Sequence, residues 1–225
     1  MNAIEIEGLH VHRGAVVLDG IDLQVAEGES VALVGADQTS LTALVRCCGG
    51  LDRPDRGRVR VAGTDVLAAD RYALLDLQLA VGYVSTHGGL LANMTLRDNV
   101  ELPLRYRGSD SPEAIRERST QLLSDAGLLG RADARASTVS AEVEKCVAYL
   151  RAVAPAPRML LVEDPSALLP PGGRALVRGI HQRLRAAGAT VLMTDDDLDF
   201  AAELVDRVIT VDGGRIVATA KGGAA

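Results

Sequence analysis

The segment GADQTSLTALVRCCGGLDRP, Gly35 to Pro54, follows the apolar run ESVALV and leads into an apolar helical pattern. A strand, a glycine and a helix start, in that order, make the place where nucleotide-binding proteins cradle phosphate on backbone N–H groups. Such a loop needs glycines, which let successive N–H groups curl around the phosphates, and a lysine to face their charge. Here the loop holds no lysine, and after Gly35 there is no glycine until Gly49; the only lysines of the chain are Lys145 and Lys221. A second pattern places acids where strands end. RMLLVED closes on Glu163 and Asp164, and TVLMTDDD on Asp195 and Asp196. Together with Asp37 these five carboxylates are expected to gather at neighbouring strand ends. There they repel an anion or hold a divalent cation through oxygen ligands, solvated loop acids being the plainer alternative.

The elements that must position these residues follow from periodicity. IEIEGLHVHR and VVLDGIDLQV alternate apolar and polar residues and read as antiparallel strands with one wet face. ESVALVG reads as a buried parallel strand and Thr39 to Leu51 as a helix. RVRVAGTDV is a further alternating strand and LAVGYVS a further buried one. From Thr95 to about Ala136 the pattern is helical, with breaks expected at Pro103, Gly108 and Gly130; Ser111 and Pro112 suit a helix start. A helix is predicted over Ala141 to Val153, followed by the buried strand RMLLVED and the helix GGRALVRGIHQRLRAAG. The strand TVLMTDDD, the helix LDFAAELV and a hairpin around Asp212-Gly213-Gly214 complete the order. Buried strands alternating with helices behind wet antiparallel strands argue for a mostly parallel α/β core, an antiparallel β layer and a helical insert near 95–155.

Composition narrows the function. Aromatic residues amount to four tyrosines and one phenylalanine, so the core must be aliphatic. A net charge of -6 gives no support to a nucleic-acid partner, and the arginines of LDRPDRGRVR are interleaved with aspartates as on a solvated face. MNAIEIEGLHV has no basic stretch leading into an apolar one, and no run approaches the ~18 apolar residues of a membrane span, so a cytoplasmic chain is expected. Cys47, Cys48 and Cys146 have neither metal-site spacing nor an even count for disulfides, and are expected to be buried free thiols.

From about Ile4 to Ala218 the chain resembles the ATP-binding subunits of ABC transporters, within them the lipoprotein-release and macrolide-export type. The resemblance is carried by VLDGIDLQVAEGESVALVG, GGLDRPDRGRVRVAGTDV, MTLRDNVELPLRYRG and DRVITVDGGRIV, in the family's order and spacing. It implies a P-loop NTPase-like ABC ATPase fold, with a mostly parallel core sheet, an N-terminal antiparallel β layer and a helical subdomain. It also implies a single domain: core with β layer over 1–94 and 156–219, helical subdomain over 95–155, frayed tail over 220–225.

The family binds ATP and magnesium, and its positions transfer one by one. The phosphate loop GxxGxGK[ST] starts at Gly35, puts its inner glycines on Gln38 and Ser40, its lysine on Leu41 and its magnesium hydroxyl on Thr42. The adenine-stacking aromatic falls on Arg13. The glutamine linking magnesium to the membrane partner falls on Thr86. The signature LSGGQ becomes Val139-Ser140-Ala141-Glu142-Val143, in which Ser140 can cap a helix while Ala141 and Glu142 obstruct a γ-phosphate. The magnesium-shell acid and the water-polarising acid fall on Glu163 and Asp164, Glu before Asp where the family has Asp before Glu. The next loop's aspartate falls on Pro170 and the switch histidine on Asp196. Positioning is most of phosphoryl-transfer catalysis, so these departures together imply a subunit that does not hydrolyse ATP. It would dock on a membrane permease at the inner face of the cell membrane, beside an intact ABC ATPase as heterodimer partner. A weakly active ATPase and a scaffold or decaying paralogue outside transport are the alternatives.

Overall fold

The computed structural model describes residues 1–223. β1 (Asn2–Arg13), β2 (Val16–Ala26), β4 (Arg56–Val61) and β5 (Thr64–Asp65) form an antiparallel sheet in the order β2-β1-β4-β5. RVRVAGTDV is thus two strands rather than one, because Ala62 and Gly63 both take positive φ and turn the chain. The second sheet runs β10-β9-β3-β8-β7-β6, from β3 (Ser30–Val34), β6 (Val81–Val84), β7 (Met159–Glu163), β8 (Thr190–Thr194), β9 (Arg207–Asp212) and β10 (Arg215–Lys221). All its pairings are parallel except β10 on β9.

The apolar runs of the central strands reflect burial on both faces. On β3, Val31 and Leu33 join a core shared with the antiparallel sheet and with α1 (Gln38–Cys48), while Ala32 and Val34 face a second core. That second core is closed by α3 (Leu96–Arg107), α4 (Pro112–Asp125), α5 (Ala141–Val153), α6 (Pro171–Ala186) and α7 (Leu198–Leu204). The three cysteines are buried and free, as expected.

Local chemistry sets the helix ends. Thr95 and Asp98 form a reciprocal capping box on α3, and Ser111 with Pro112 starts α4. The break expected at Pro103 is absent. α3 runs through it because Val100 and Leu104, on either side, are buried in the helical core, and that packing outweighs one lost backbone bond. RYALLDLQLA forms α2 (Arg71–Ala80), which periodicity alone does not mark; its signal is Asp70, which accepts from the Tyr72 and Ala73 N–H groups. Fraying does not begin at residue 220. β10 continues to Lys221, and the Gly222 and Gly223 N–H groups donate to the Asp206 and Ala202 carbonyls; residues 224–225 lie outside the described part.

Between α5 and α6, Tyr149 and His181 lie with ring centroids 6.1 Å apart, both buried, and neither the tyrosine hydroxyl nor either imidazole nitrogen has a partner among the described residues. Burial pushes the His181 pKa down from 6.5 to about 4. The fold therefore favours neutral His181, and its contribution is present above pH 6.5 and lost as pH falls toward 4. His181→Phe keeps the ring and removes the titration. In urea unfolding, the variant should gain about 2 kcal/mol relative to the parent between roughly pH 7.5 and pH 5.

Candidate functional site

Parallel pairing brings the C-terminal ends of β3, β8, β7 and β6 side by side, so the loops that follow them meet at one edge, where α/β sheets bind ligands. Gly35 leaves β3 tightly against β9: a Cβ there would stand 2.3 Å from the Val211 carbonyl oxygen. The chain then enters α1 at Gln38, with Asp37 as its cap. The Ser40 N–H donates to Asp37 Oδ1 at 3.2 Å, the Ser40 hydroxyl donates to Asp37 Oδ2, and the Val17 N–H donates to Ser40 Oγ at 2.9 Å. The positive end of α1 is thus already met by a carboxylate of its own chain. Gln38 folds back over the loop, its Nε2 donating to the Gly35 carbonyl at 2.9 Å and the Asp195 carbonyl at 3.2 Å. Leu41, 1% exposed, is part of the core between the sheets, and Thr42 next to it is half-buried.

The five acids do not form one group. Asp37 serves its own helix. Glu163 is buried at the end of β7, where Tyr83 Oη donates to Oε1 and Thr86 donates to Oε2 through its N–H at 3.0 Å and its hydroxyl at 3.2 Å. Arg46 Nη1 stands 3.8 Å from the same carboxylate. Thr86 and Glu163 are thus brought together, whereas Thr42 makes no hydrogen bond to Glu163. Only Asp164, Asp195 and Asp196 cluster, their oxygens within 4.8 Å of one another. Burial, then the charge of Asp196, raises the Asp164 pKa. Burial pushes Asp195 up to about 6, although its carboxylate accepts from Ser166 Oγ at 2.7 Å, the Ser166 N–H at 3.2 Å and the Asp197 N–H at 3.0 Å.

The remaining expected positions lie apart. Arg13 is exposed at the end of β1 and donates through Nη2 to the Arg53 carbonyl. Ser140, Ala141 and Glu142 open α5 on the surface; Ser140 has extended N-cap backbone angles, but the side-chain capping bond expected of it is not made. Pro170 stands at the cap of α6.

One residue of this region is not among the motif positions. Lys145, on α5, is 0% exposed, and its ammonium donates to the backbone carbonyls of Glu163 (2.8 Å), Ser85 (3.0 Å) and Thr86 (3.1 Å). Burial lowers its pKa to about 8, against the upward pull of Asp164, Glu163 and Asp195, so it remains charged at neutral pH. Its signal in the sequence is its place beside the unbroken apolar run from Cys146 to Leu150, which no surface helix would carry.

Comparison with known proteins is decisive here: the family model described as "ABC transporter" matches residues 18–167. The chain belongs to the ABC transporter family, as an ATP-binding domain. Methionine import ATP-binding protein MetN of Rhizobium etli is 33% identical over 204 residues, 89% of this chain and 55% of that protein. The protein of the same name from Streptomyces coelicolor is 34% identical over 213 residues, covering 91% of this chain and 60% of that one. The chain therefore spans little more than half the length of these curated relatives. Their names are those of methionine importers, and the expected lipoprotein-release or macrolide-export type finds no support in them. Among solved structures, the ATP-binding cassette MJ0796, in a dimeric post-hydrolysis state bound to ADP and Pi, superposes with a TM-score of 0.89 at 24% identity, covering 97% of this chain and 98% of that one. CbiO1 from Clostridium perfringens, part of the ABC transporter complex cbiONQ, gives 0.79 at 21%, covering 98% and 89%. Both likenesses establish the ABC ATPase fold.

In this ATP-binding domain Lys145 ties α5 to the ends of β6 and β7. Lys145→Met should destabilise the protein by about 3 kcal/mol in urea unfolding at neutral pH, since it strips a buried cation from the carbonyls and acids around it.

Proposed function

We propose that this ABC ATP-binding domain is a non-hydrolysing subunit that docks on a membrane permease. One observation supports the reading: side chains at the phosphate-loop position are engaged by the chain itself. Gln38 bridges the Gly35 and Asp195 carbonyls, Asp37 takes the helix-end N–H of Ser40, and Leu41 is in the core. Glu163, at the magnesium-shell position, has both oxygens engaged by Tyr83 and Thr86. The residues present therefore do not fit MgATP, and no hydrolytic step is assigned to them. Among the described residues no helix is long and apolar enough to cross a membrane, so attachment to the membrane's inner face would come through the permease. The relatives' names concern methionine import; nothing in the candidate site reads a transported substrate, which the permease would select.

Calorimetric titration with MgATP tests this directly. The dissociation constant should lie above about 1 mM, less than ~4 kcal/mol of binding. Leu41→Lys alone should restore neither binding nor phosphate release, because residues that act as a unit are not rescued singly. Micromolar binding by the unmodified protein together with phosphate release above background would overturn the reading in favour of a working ATPase.

A heterodimer with an intact ATPase is part of the proposal. In that pairing the exposed Glu142 at the start of α5 would face the partner's γ-phosphate, a like-charge contact. The partner's turnover should fall in the heterodimer and recover with Glu142→Gly, which removes the charge and lets the backbone approach. Stimulation by the unmodified subunit, or equal rates with both forms, would exclude such a brake.

A further inference from the structure

We propose that His10, His12 and Asp19 form a zinc-binding site on the outer face of the antiparallel sheet. Residues two apart on a strand share a face, so both imidazoles of β1 project outward while Val11 between them is buried in the core. Asp19 of β2 pairs directly with His10 across the ladder. One ligand atom from each of the three side chains lies within 4.8 Å of the other two, close enough for a small cation to gather them with minor side-chain rotation. They belong to adjacent strands of one sheet, so no backbone rearrangement is needed.

The surroundings prepare the ligands. His10 Nδ1 stands 3.2 Å from Asp19 Oδ1, while Arg215 holds the other carboxylate oxygen, Oδ2, with Nε at 3.0 Å and Nη2 at 2.5 Å. Arg215 thereby fixes the carboxylate and leaves Oδ1 turned toward the imidazole, as outer-shell partners of metal ligands do. Asp55 fixes the strand that carries both histidines: its N–H donates to the His10 carbonyl at 2.8 Å, and its Oδ2 accepts from the His12 N–H at 2.7 Å. Asp22 lines the same groove, but its Oδ1 is engaged by the Gly8 N–H at 2.7 Å, so it adds negative charge without being required as a ligand.

The donor set selects the ion. Two imidazoles and one carboxylate suit zinc, with a fourth position left for water, and do not suit magnesium or calcium, which take all-oxygen shells. The site is independent of nucleotide. Bound zinc would staple β1 to β2 at the end where Val17 donates to Ser40 of the phosphate-loop helix, stiffening the β layer against α1.

The test is calorimetric titration of the untagged full chain with zinc chloride, paired with thermal unfolding. One equivalent should bind with micromolar affinity and raise Tm, and magnesium chloride should do neither. His12 is exposed, so His12→Ala should fold normally; it should weaken zinc binding by about tenfold or more, at least the scale known for disturbing an outer-shell partner. Asp19→Asn should weaken it as well, and His87→Ala, at a distant exposed histidine, should leave it unchanged. Cobalt, titrated in place of zinc, should give a visible absorption band that His12→Ala removes. Zinc binding weaker than about 1 mM, equal binding by His12→Ala, or loss of binding in His87→Ala would overturn the proposal.

Discussion

A buried ammonium has no water to solvate it and must be surrounded by acceptors, and much of the candidate site is arranged around the one on Lys145. Three backbone carbonyls at the ends of β6 and β7 converge on it, and acids lie close by. Because those carbonyls belong to Ser85, Thr86 and Glu163, the ammonium fixes the ends of β6 and β7 against one another. The same contacts join α5 to the sheet.

The phosphate loop follows a related logic. A helix N-terminus carries unpaired N–H groups and a partial positive charge, and something negative must meet them. Here Asp37 does so from within the chain, and Gln38 crosses the loop to reach Gly35 and Asp195. The loop is a strand-to-helix turn capped by Asp37, with Leu41 in the core between the two sheets. Asp195, raised by burial yet held by Ser166 and Asp197, joins this network to the β8 loop.

Several positions serve the stability of the scaffold itself. Gly35 is retained where a side chain would strike the Val211 carbonyl, Asp70 and Thr95 with Asp98 cap their helices, and Gly213 and Gly214 turn the last hairpin at positive φ. These positions serve folding, and the chain superposes on an ATP-binding cassette over 97% of its length.

Most of the strand and helix order, the two-faced burial of β3, β7 and β8 and the helix from Ala141 to Val153 are legible in the sequence, because apolar periodicity records which faces are dry; α2 and the division of β4 from β5 are not. The composition of the phosphate loop is legible too, since residue identity alone decides that it has no lysine. Contacts across the fold were beyond reach. Periodicity reports burial but not the partner, so it could not tell that Lys145 would meet carbonyls of β6 and β7, 60 and 18 residues away in sequence. Nor could it separate Glu163, turned to Tyr83 and Thr86, from the aspartate cluster it was expected to join. The run through Pro103 and the pairing of His10 with Asp19 likewise arise from packing and register. Local sequence determined the elements and the loop's chemistry, because propensity and side-chain charge act over a few residues. Only the tertiary structure decided which charges meet, because electrostatic and hydrogen-bond partners are chosen by position in space.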